Sequence, residues 1–268
     1  MTAVKFFAFL KILLLVLIFL PSGTKAQKSG DDIAKQLANP IASLISVPFQ
    51  NTFQFGIGGQ DGYKYLLNFQ PVIPVSLSKG LNLINRIIVP VIAQNRAVDM
   101  ERQNGLGDIL YSAFFSPSST GLTWGIGPAF SLPTATNDLL GSKKLLIGPT
   151  AVALAQPDSW TVGILANNLW SVAGDENRPD INSLFTQPFF SYNFKGGLGI
   201  GASSENVYDW KNKRLASGLV ALNLTQVFKF GTKQVASIVA APVYYYSSNA
   251  VNRPEWGARV ALILVFPK

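Results

Sequence analysis

Trp256-Gly-Ala-Arg-Val-Ala-Leu-Ile-Leu-Val-Phe266 decides the fold. Trp256, Ala258, Val260, Leu262, Leu264 and Phe266 share one face of an extended chain. Gly257, Arg259, Ala261 and Ile263 share the other. No helical period fits this run, and Arg259 stands in the middle of it. A strand of this length, apolar on one side with a charge and small residues on the other, suits a wall between hydrocarbon and a lumen.

The same texture repeats upstream. Twelve segments rich in Val, Ile, Leu, Phe, Tyr and Gly read as strands. They are Thr52–Gly58, Tyr63–Leu77, Leu81–Ile92, Leu106–Phe115, Leu122–Leu132, Lys144–Ala155, Trp160–Val172, Ile181–Asn193, Leu198–Val207, Leu215–Phe228, Gln234–Tyr246 and Glu255–Phe266. Tyr63, Tyr65, Leu67 and Phe69 oppose Lys64, Leu66, Asn68 and Gln70. Leu198, Ile200 and Ala202 oppose Gly199, Gly201, Ser203 and Glu205. The third and eleventh segments alternate poorly. Short links alternate with longer ones, Gly59–Gly62 excepted. An even strand count with short turns on one rim, longer loops on the other and both strand-chain ends on the short-turn side describes an outer-membrane barrel. The expected fold is an all-β transmembrane antiparallel barrel of about 12 strands. A short N-terminal helical or irregular segment precedes it, after a signal peptide. Seven prolines, Pro71, Pro74, Pro90, Pro128, Pro149, Pro188 and Pro242, fall inside the segments. A closed barrel has no free edge to hide a missing N–H, so bulges or strand portions beyond the hydrocarbon are expected at them.

Composition agrees. The chain has 268 residues, a charged fraction of 13% and a hydrophobic fraction of 48%. Soluble domains carry about 25% charge. The formal net charge is +8, and His and Cys are absent. Disulfide frameworks, thiolate nucleophiles, Ser-His-Asp triads and His-based zinc sites are therefore excluded. Lys5 and Lys11 flank and interrupt the apolar run Phe6–Leu20, and small residues precede Gln27. This is the layout of a signal peptide over residues 1–26, cleaved after Ala26. Asp31–Phe49 spaces Ile33, Leu37, Ile41, Leu44 and Ile45 at three and four residues, the pattern of a short amphipathic helix broken near Pro40 and ended by Pro48. Residues 27–50 are thus a plug or a periplasmic strap, and 51–268 the barrel.

Ala34-Lys-Gln-Leu-Ala-Asn-Pro-Ile-Ala-Ser-Leu-Ile-Ser-Val-Pro-Phe-Gln-Asn51 resembles the start of a family of Gram-negative outer-membrane transporters linked to a meta-pathway of phenol degradation. Further motifs carry the resemblance: Leu106-Gly-Asp-Ile109, Phe114-Phe-Ser-Pro117, Trp124-Gly-Ile-Gly-Pro128, Leu132-Pro-Thr-Ala-Thr136 and Gly148-Pro-Thr-Ala-Val152. So do Leu169-Trp-Ser-Val-Ala-Gly174, Gln187-Pro-Phe189 and Leu264-Val-Phe-Pro-Lys268. It implies a porin-like outer-membrane barrel and uptake of small compounds, aromatic ones among them. It brings no catalytic residues.

Charge facing lipid at mid-depth costs about 2–4 kcal/mol for Arg or Lys. Lys64, Arg86, Asp108, Glu205 and Arg259 are therefore expected to face the lumen, with Asn68, Gln70, Asn167, Gln187, Asn223 and Thr225 beside them. They read either as a solute-contacting constriction or as lumen-filling pairs. Trp124, Trp160, Trp170, Trp210 and Trp256 lie near strand ends, where interfacial girdles need rings with one wet end. The clusters Arg96, Asp99, Glu101, Arg102 and Asp175, Glu176, Arg178, Asp180 read as solvated loops. Ser76-Leu-Ser-Lys79 lacks the companions of an acyl-enzyme motif, and Asn223-Leu-Thr225 is a sequon inside a strand. The expected activity is passive diffusion of small molecules, hydrophobic or aromatic ones included, without enzyme activity, cofactor, metal or nucleic-acid partner. Outer-membrane lipid and a small solute are the expected partners. A closed structural or partner-binding barrel is the alternative. A lipid hydrolase is disfavoured by the absence of His.

Overall fold

The computed structural model describes residues 27–58, 61–98, 100–118, 121–230, 234–248 and 253–266. Residues 1–26, where the sequence predicts a signal peptide, and Asp99 lie outside them. Fourteen strand segments make twelve strands, because two are interrupted. We number them β1 (Ile45–Ile57), β2 (Gly62–Phe69 and Val72–Ser78), β3 (Leu81–Asn95), β4 (Arg102–Leu106 and Ile109–Pro117), β5 (Leu122–Leu132) and β6 (Lys144–Ala155). The second half is β7 (Trp160–Gly174), β8 (Asn182–Asn193), β9 (Leu198–Asp209), β10 (Arg214–Phe230), β11 (Gln234–Ser248) and β12 (Trp256–Phe266). Each strand pairs antiparallel with its sequence neighbour. β12 returns to β1 over Ile45↔Phe266 through Phe55↔Trp256, which closes the barrel. The all-β barrel expected from the sequence is the fold observed.

Alternation follows the two faces. In β12, Val260, Leu262 and Phe266 are exposed outward, while Arg259, Ala261 and Val265 are buried. In β7, Trp160, Val162, Ile164 and Trp170 face out, and Thr161, Leu165, Asn167 and Leu169 face in. Outward asparagines break the apolar pattern and are satisfied, Asn51 and Asn85 among them. The Tyr65 hydroxyl donates to Asn51 Oδ1 and the Tyr111 hydroxyl to Asn85 Oδ1, each at 2.7 Å. The two amides donate to the Val260 and Ile73 carbonyls at 3.2 Å. Pairing polar groups with one another and with backbone is what a lipid-facing surface requires, because no water is present to replace them.

The strand prolines find their places. Pro128 and Pro149 face each other across β5 and β6. On their far sides the ladders skip. β4–β5 pairing passes from Ser112↔Ala129 to Phe115↔Ile126, and β6–β7 pairing from Ile147↔Trp170 to Thr150↔Asn167. Pro188 and Pro242 sit at similar skips between β8 and β9 and between β10 and β11. Pro71 lies in the interruption of β2. Pro90 lies opposite that of β4, where Gly107 N–H donates to its carbonyl at 2.9 Å. Pro74 pairs only with β3, past the start of β1. None of these seven prolines removes a donor from a continuous ladder.

Three boundaries differ from the sequence reading. The helix, α1, covers Gln27–Leu37: it starts ahead of Asp31 and does not resume after the break expected near Pro40. β1 begins at Ile45, not Thr52, because β12 offers partners down to Phe266 and strand pairing outcompetes the helical spacing of Leu44 and Ile45. The long link expected at Ala93–Gly105 shortens to 96–101, since β3 and β4 continue pairing to Asn95↔Arg102.

Candidate solute path through the lumen

The two halves of the inner wall differ. On the β3–β7 side Ile84, Phe114, Val152, Leu154 and Leu165 form a buried apolar cluster, and Ala129, Leu146 and Leu169 form another nearer the opposite rim. On the β8–β12 and β1–β3 side polar groups predominate. Arg259 Nη1 meets Glu205 Oε1 at 2.7 Å, and Arg259 Nε donates to Thr52 Oγ1 at 3.3 Å. Glu205 lies on β9 and Arg259 on β12, so the pair bridges across β10 and β11, above the small residues Ala221 and Ala241.

Arg86 sits on β3, and its Nη2 donates to Gln70 Oε1 at 3.0 Å. Lys64 belongs to a row of inward amides, Gln54↔Lys64↔Gln94↔Gln103. Gln94 donates to Gln103 at 3.1 Å. Among the described residues neither Lys64 nor Arg86 pairs with a carboxylate.

The N-terminal segment enters the lumen. Ala34, Ile33, Leu37 and Leu44 pack on Val227 of β10, Val235 of β11 and Val265 of β12. Between them Ile41, 3% exposed, packs on the far wall with Ile84, Phe114 and Val152. The chain 38–44 therefore crosses from one wall to the other and back at the short-turn mouth. Asn39 Oδ1 accepts from Ile41 N–H at 2.9 Å and Gln156 donates to the Lys35 carbonyl at 2.7 Å, which fix the crossing. Beside it lies a cavity of about 280 Å³.

Of the eleven residues expected along a solute path, the fold brings Gln70, Arg86, Gln187, Asn223 and Thr225 together on this cavity. Glu205 and Arg259 form the bridge above. Asn68 stands in register with Gln50 and Pro90, and Lys64 nearer the far rim. Asn167 is buried beside Thr150 on the packed side. Asp108 has other work. Its carboxylate accepts from Ala135 N–H at 3.2 Å and from Ser142 N–H and Oγ at 2.6 and 2.7 Å, anchoring the connection 133–143. Sequence reasoning passed over Ser191, Asn193 and Ser237, which line the cavity, and the inward glutamines 54, 94 and 103. The two-residue period of β1 carried the signal for Gln54. Ser237 lies on β11, where alternation is poor.

Outside, the five tryptophans occupy two levels. Trp124 and Trp160 lie by the short turns, Trp170, Trp210 and Trp256 by the other rim. Phe55 stacks on Trp256 at 4.5 Å, Tyr208 meets Trp210 at 4.7 Å and Tyr192 meets Trp160 at 4.9 Å. Trp210 Nε1 donates to Asn168 Oδ1 at 2.7 Å. Trp160 and Trp170 share β7. Ten residues at about 3.3 Å each, on a strand tilted about 40°, set the levels about 25 Å apart, the height of an outer-membrane apolar band.

The closed barrel has counterparts of similar outline among solved outer-membrane proteins. An outer-membrane channel from Pseudomonas putida F1 aligns with TM-score 0.64 and 12% identity, over 92% of this chain and 100% of that one. Outer membrane phospholipase A from Escherichia coli aligns at 0.47 with 12% identity, over 88% and 98%. A monoaromatic hydrocarbon channel aligns at 0.41 with 8% identity, over 92% and 94%. No protein-family model matches the chain, and no curated protein matches its sequence. The likeness is one of fold, and that fold is the porin-like barrel which the sequence resemblance implied.

Proposed function

We propose that this chain is an outer-membrane channel for passive diffusion of small molecules, aromatic and hydrophobic ones among them. It works without energy input, cofactor or catalysis. The observation that carries the reading is the half-hollow lumen, with a polar wall and a cavity of about 280 Å³ on one side and a packed apolar wall on the other. Lipid bathes the outside, with the tryptophans at the two interfaces. Solutes are selected by width and by the charges of Lys64, Arg86, Glu205 and Arg259. Residues 1–26 act as a signal peptide removed on export, so the exported chain starts at Gln27. Residues 27–44 act as a plug at the short-turn mouth, where Ile41 is the bolt. The Pseudomonas putida channel and the aromatic-hydrocarbon channel are named for transport, which accords with this reading.

The crossing chain 38–44 also favours a second reading, a closed barrel that conducts nothing. Single-channel conductance of the refolded protein in planar bilayers separates the two. The channel reading expects small, fluctuating currents that rise severalfold when residues 27–44 are deleted. Silence from both forms defeats it.

A further inference from the structure

The cavity beside the N-terminal segment is lined by donors that have no acceptor. Arg86 has a planar guanidinium with five N–H donors, of which the structure commits one, to Gln70. An arginine stays charged at any physiological pH. The nearest acid that faces it electrostatically is Glu205, already bound to Arg259 at 2.7 Å. Across the cavity, Ser191 Oγ, Asn193 Nδ2 and Ser237 Oγ are buried and without hydrogen-bond partners. Ser237 is 0% exposed. Leaving such groups unmet is costly, so a site that keeps several is shaped for an acceptor. The rest of the lining is apolar, with Phe189, Val72, Leu44 and Ile263 prominent.

We infer that this cavity is a binding subsite for a small aromatic or aliphatic monocarboxylate in its anionic form. Its carboxylate would take the fork of Arg86, which matches two oxygens at once. Its apolar body would lie on Phe189, Leu44 and Val72. The volume holds one ring with its substituent. The lumen favours an anion as a whole, since among the described residues neither Lys64 nor Arg86 forms an ion pair and Glu205 is already bound to Arg259. The inference rests on the channel reading only for its transport consequence, because binding is measurable without flux.

Equilibrium dialysis of the full mature protein in detergent micelles tests it, with benzoate and its uncharged near-isostere benzyl alcohol as probes. Wild type is expected to bind benzoate at least tenfold more tightly than benzyl alcohol. In Arg86→Gln that preference disappears while benzyl alcohol binding holds, which also certifies the fold of the variant. In Arg86→Lys part of the preference returns. Equal affinities in wild type, or a preference untouched in Arg86→Gln, overturn the subsite. Single-channel conductance in planar bilayers is read in parallel. Benzoate binding without conductance keeps the subsite and sinks the channel reading. Conductance with no benzoate preference in binding does the reverse.

Discussion

Gly148 and Pro149 divide one task between two faces of the wall. Pro149 points outward and offers no N–H to β7, so the ladder skips there. The Asn168 carbonyl then crowds the inner side, where a Cβ on Gly148 would lie 1.7 Å from it. Gly127 and Pro128 repeat the arrangement on β5, with the Ala113 carbonyl 1.9 Å from the absent Cβ. Gly148→Ala and Gly127→Ala should therefore each destabilise the barrel by about 1–3 kcal/mol or more, since backbone has to move. Gly80→Ala, with nothing within 4 Å, should stay within about 0.5 kcal/mol. Urea unfolding in micelles, followed by tryptophan fluorescence, reads the difference, and equal shifts at all three sites would refute the close-approach account. The bridge in the lumen gives a second expectation. Arg259 is 7% exposed, and Glu205→Gln removes its carboxylate partner. Removing one member of a buried pair costs about 3–5 kcal/mol in a dry interior, so a loss toward the lower end is expected here. Reversal potentials under a salt gradient should move toward anion selectivity at the same time. An unchanged potential would mean that the bridge lies off the conduction path.

β4 shows how an element survives interruption. Its ladder stops at Leu106 and restarts at Ile109. The connection 133–143 supplies the missing partners. Thr136 Oγ1 accepts from Leu106 N–H and Thr134 Oγ1 from Ile109 N–H, each at 3.0 Å, while Thr136 N–H donates to the Leu106 carbonyl at 3.1 Å. The motif Leu132-Pro-Thr-Ala-Thr136 is thus a patch on the wall. Thr134→Val should cost about 1 kcal/mol and speed amide exchange at Ile109, and no change at Ile109 would rule the patch out. The connection 175–181 is held by charge instead. Asp180 accepts from Lys211 Nζ and Lys144 Nζ, both at 3.3 Å, and these bonds hold its carboxyl below the usual carboxylate range. A lowered folded value gives stability that is present above the unfolded value of about 3.9 and lost as pH falls through the folded one. Amide exchange across 175–181, corrected for intrinsic rates, should be slow at neutral pH and quicken only below that range. Asp180→Asn should show the quickened rate already at neutral pH. The sequence made all twelve strands legible, because lipid and lumen impose a period of two and turn residues mark the ends even where, as in the third and eleventh, alternation is poor. It hid the start of β1, where a helical spacing of Leu44 and Ile45 masked a pairing that only distant β12 supplies. It also hid the work of Asp108, because an acid inside a strand reads as lumen-facing until the loop that it anchors is in view.

At the scale of the whole barrel, the medium outside decides what each residue tolerates. Ile164 stands midway between Trp160 and Trp170 on the outward face of β7, 46% exposed and without a polar neighbour in register, between Ala153 and Pro188. Thr225 of β10 faces the cavity with polar companions. In water an exposed Ile164→Arg would be harmless, within about 0.5 kcal/mol. In hydrocarbon it costs about 2–4 kcal/mol at mid-depth, whereas Thr225→Arg enters a hydrated lumen and costs much less. Reversible urea unfolding in phosphatidylcholine bilayers should therefore rank Ile164→Arg as the damaging variant. Trp160→Arg, at the interface, should fall between the two, because the cost declines towards the headgroups and the side chain can reach water there. The ordering is specific to a belt of lipid whose centre lies between the two tryptophan levels. If Ile164→Arg and Thr225→Arg unfold alike, or the outward arginine proves the milder, the exterior is wet, and both the membrane setting and the direction of the pore axis have been assigned to the wrong solvent.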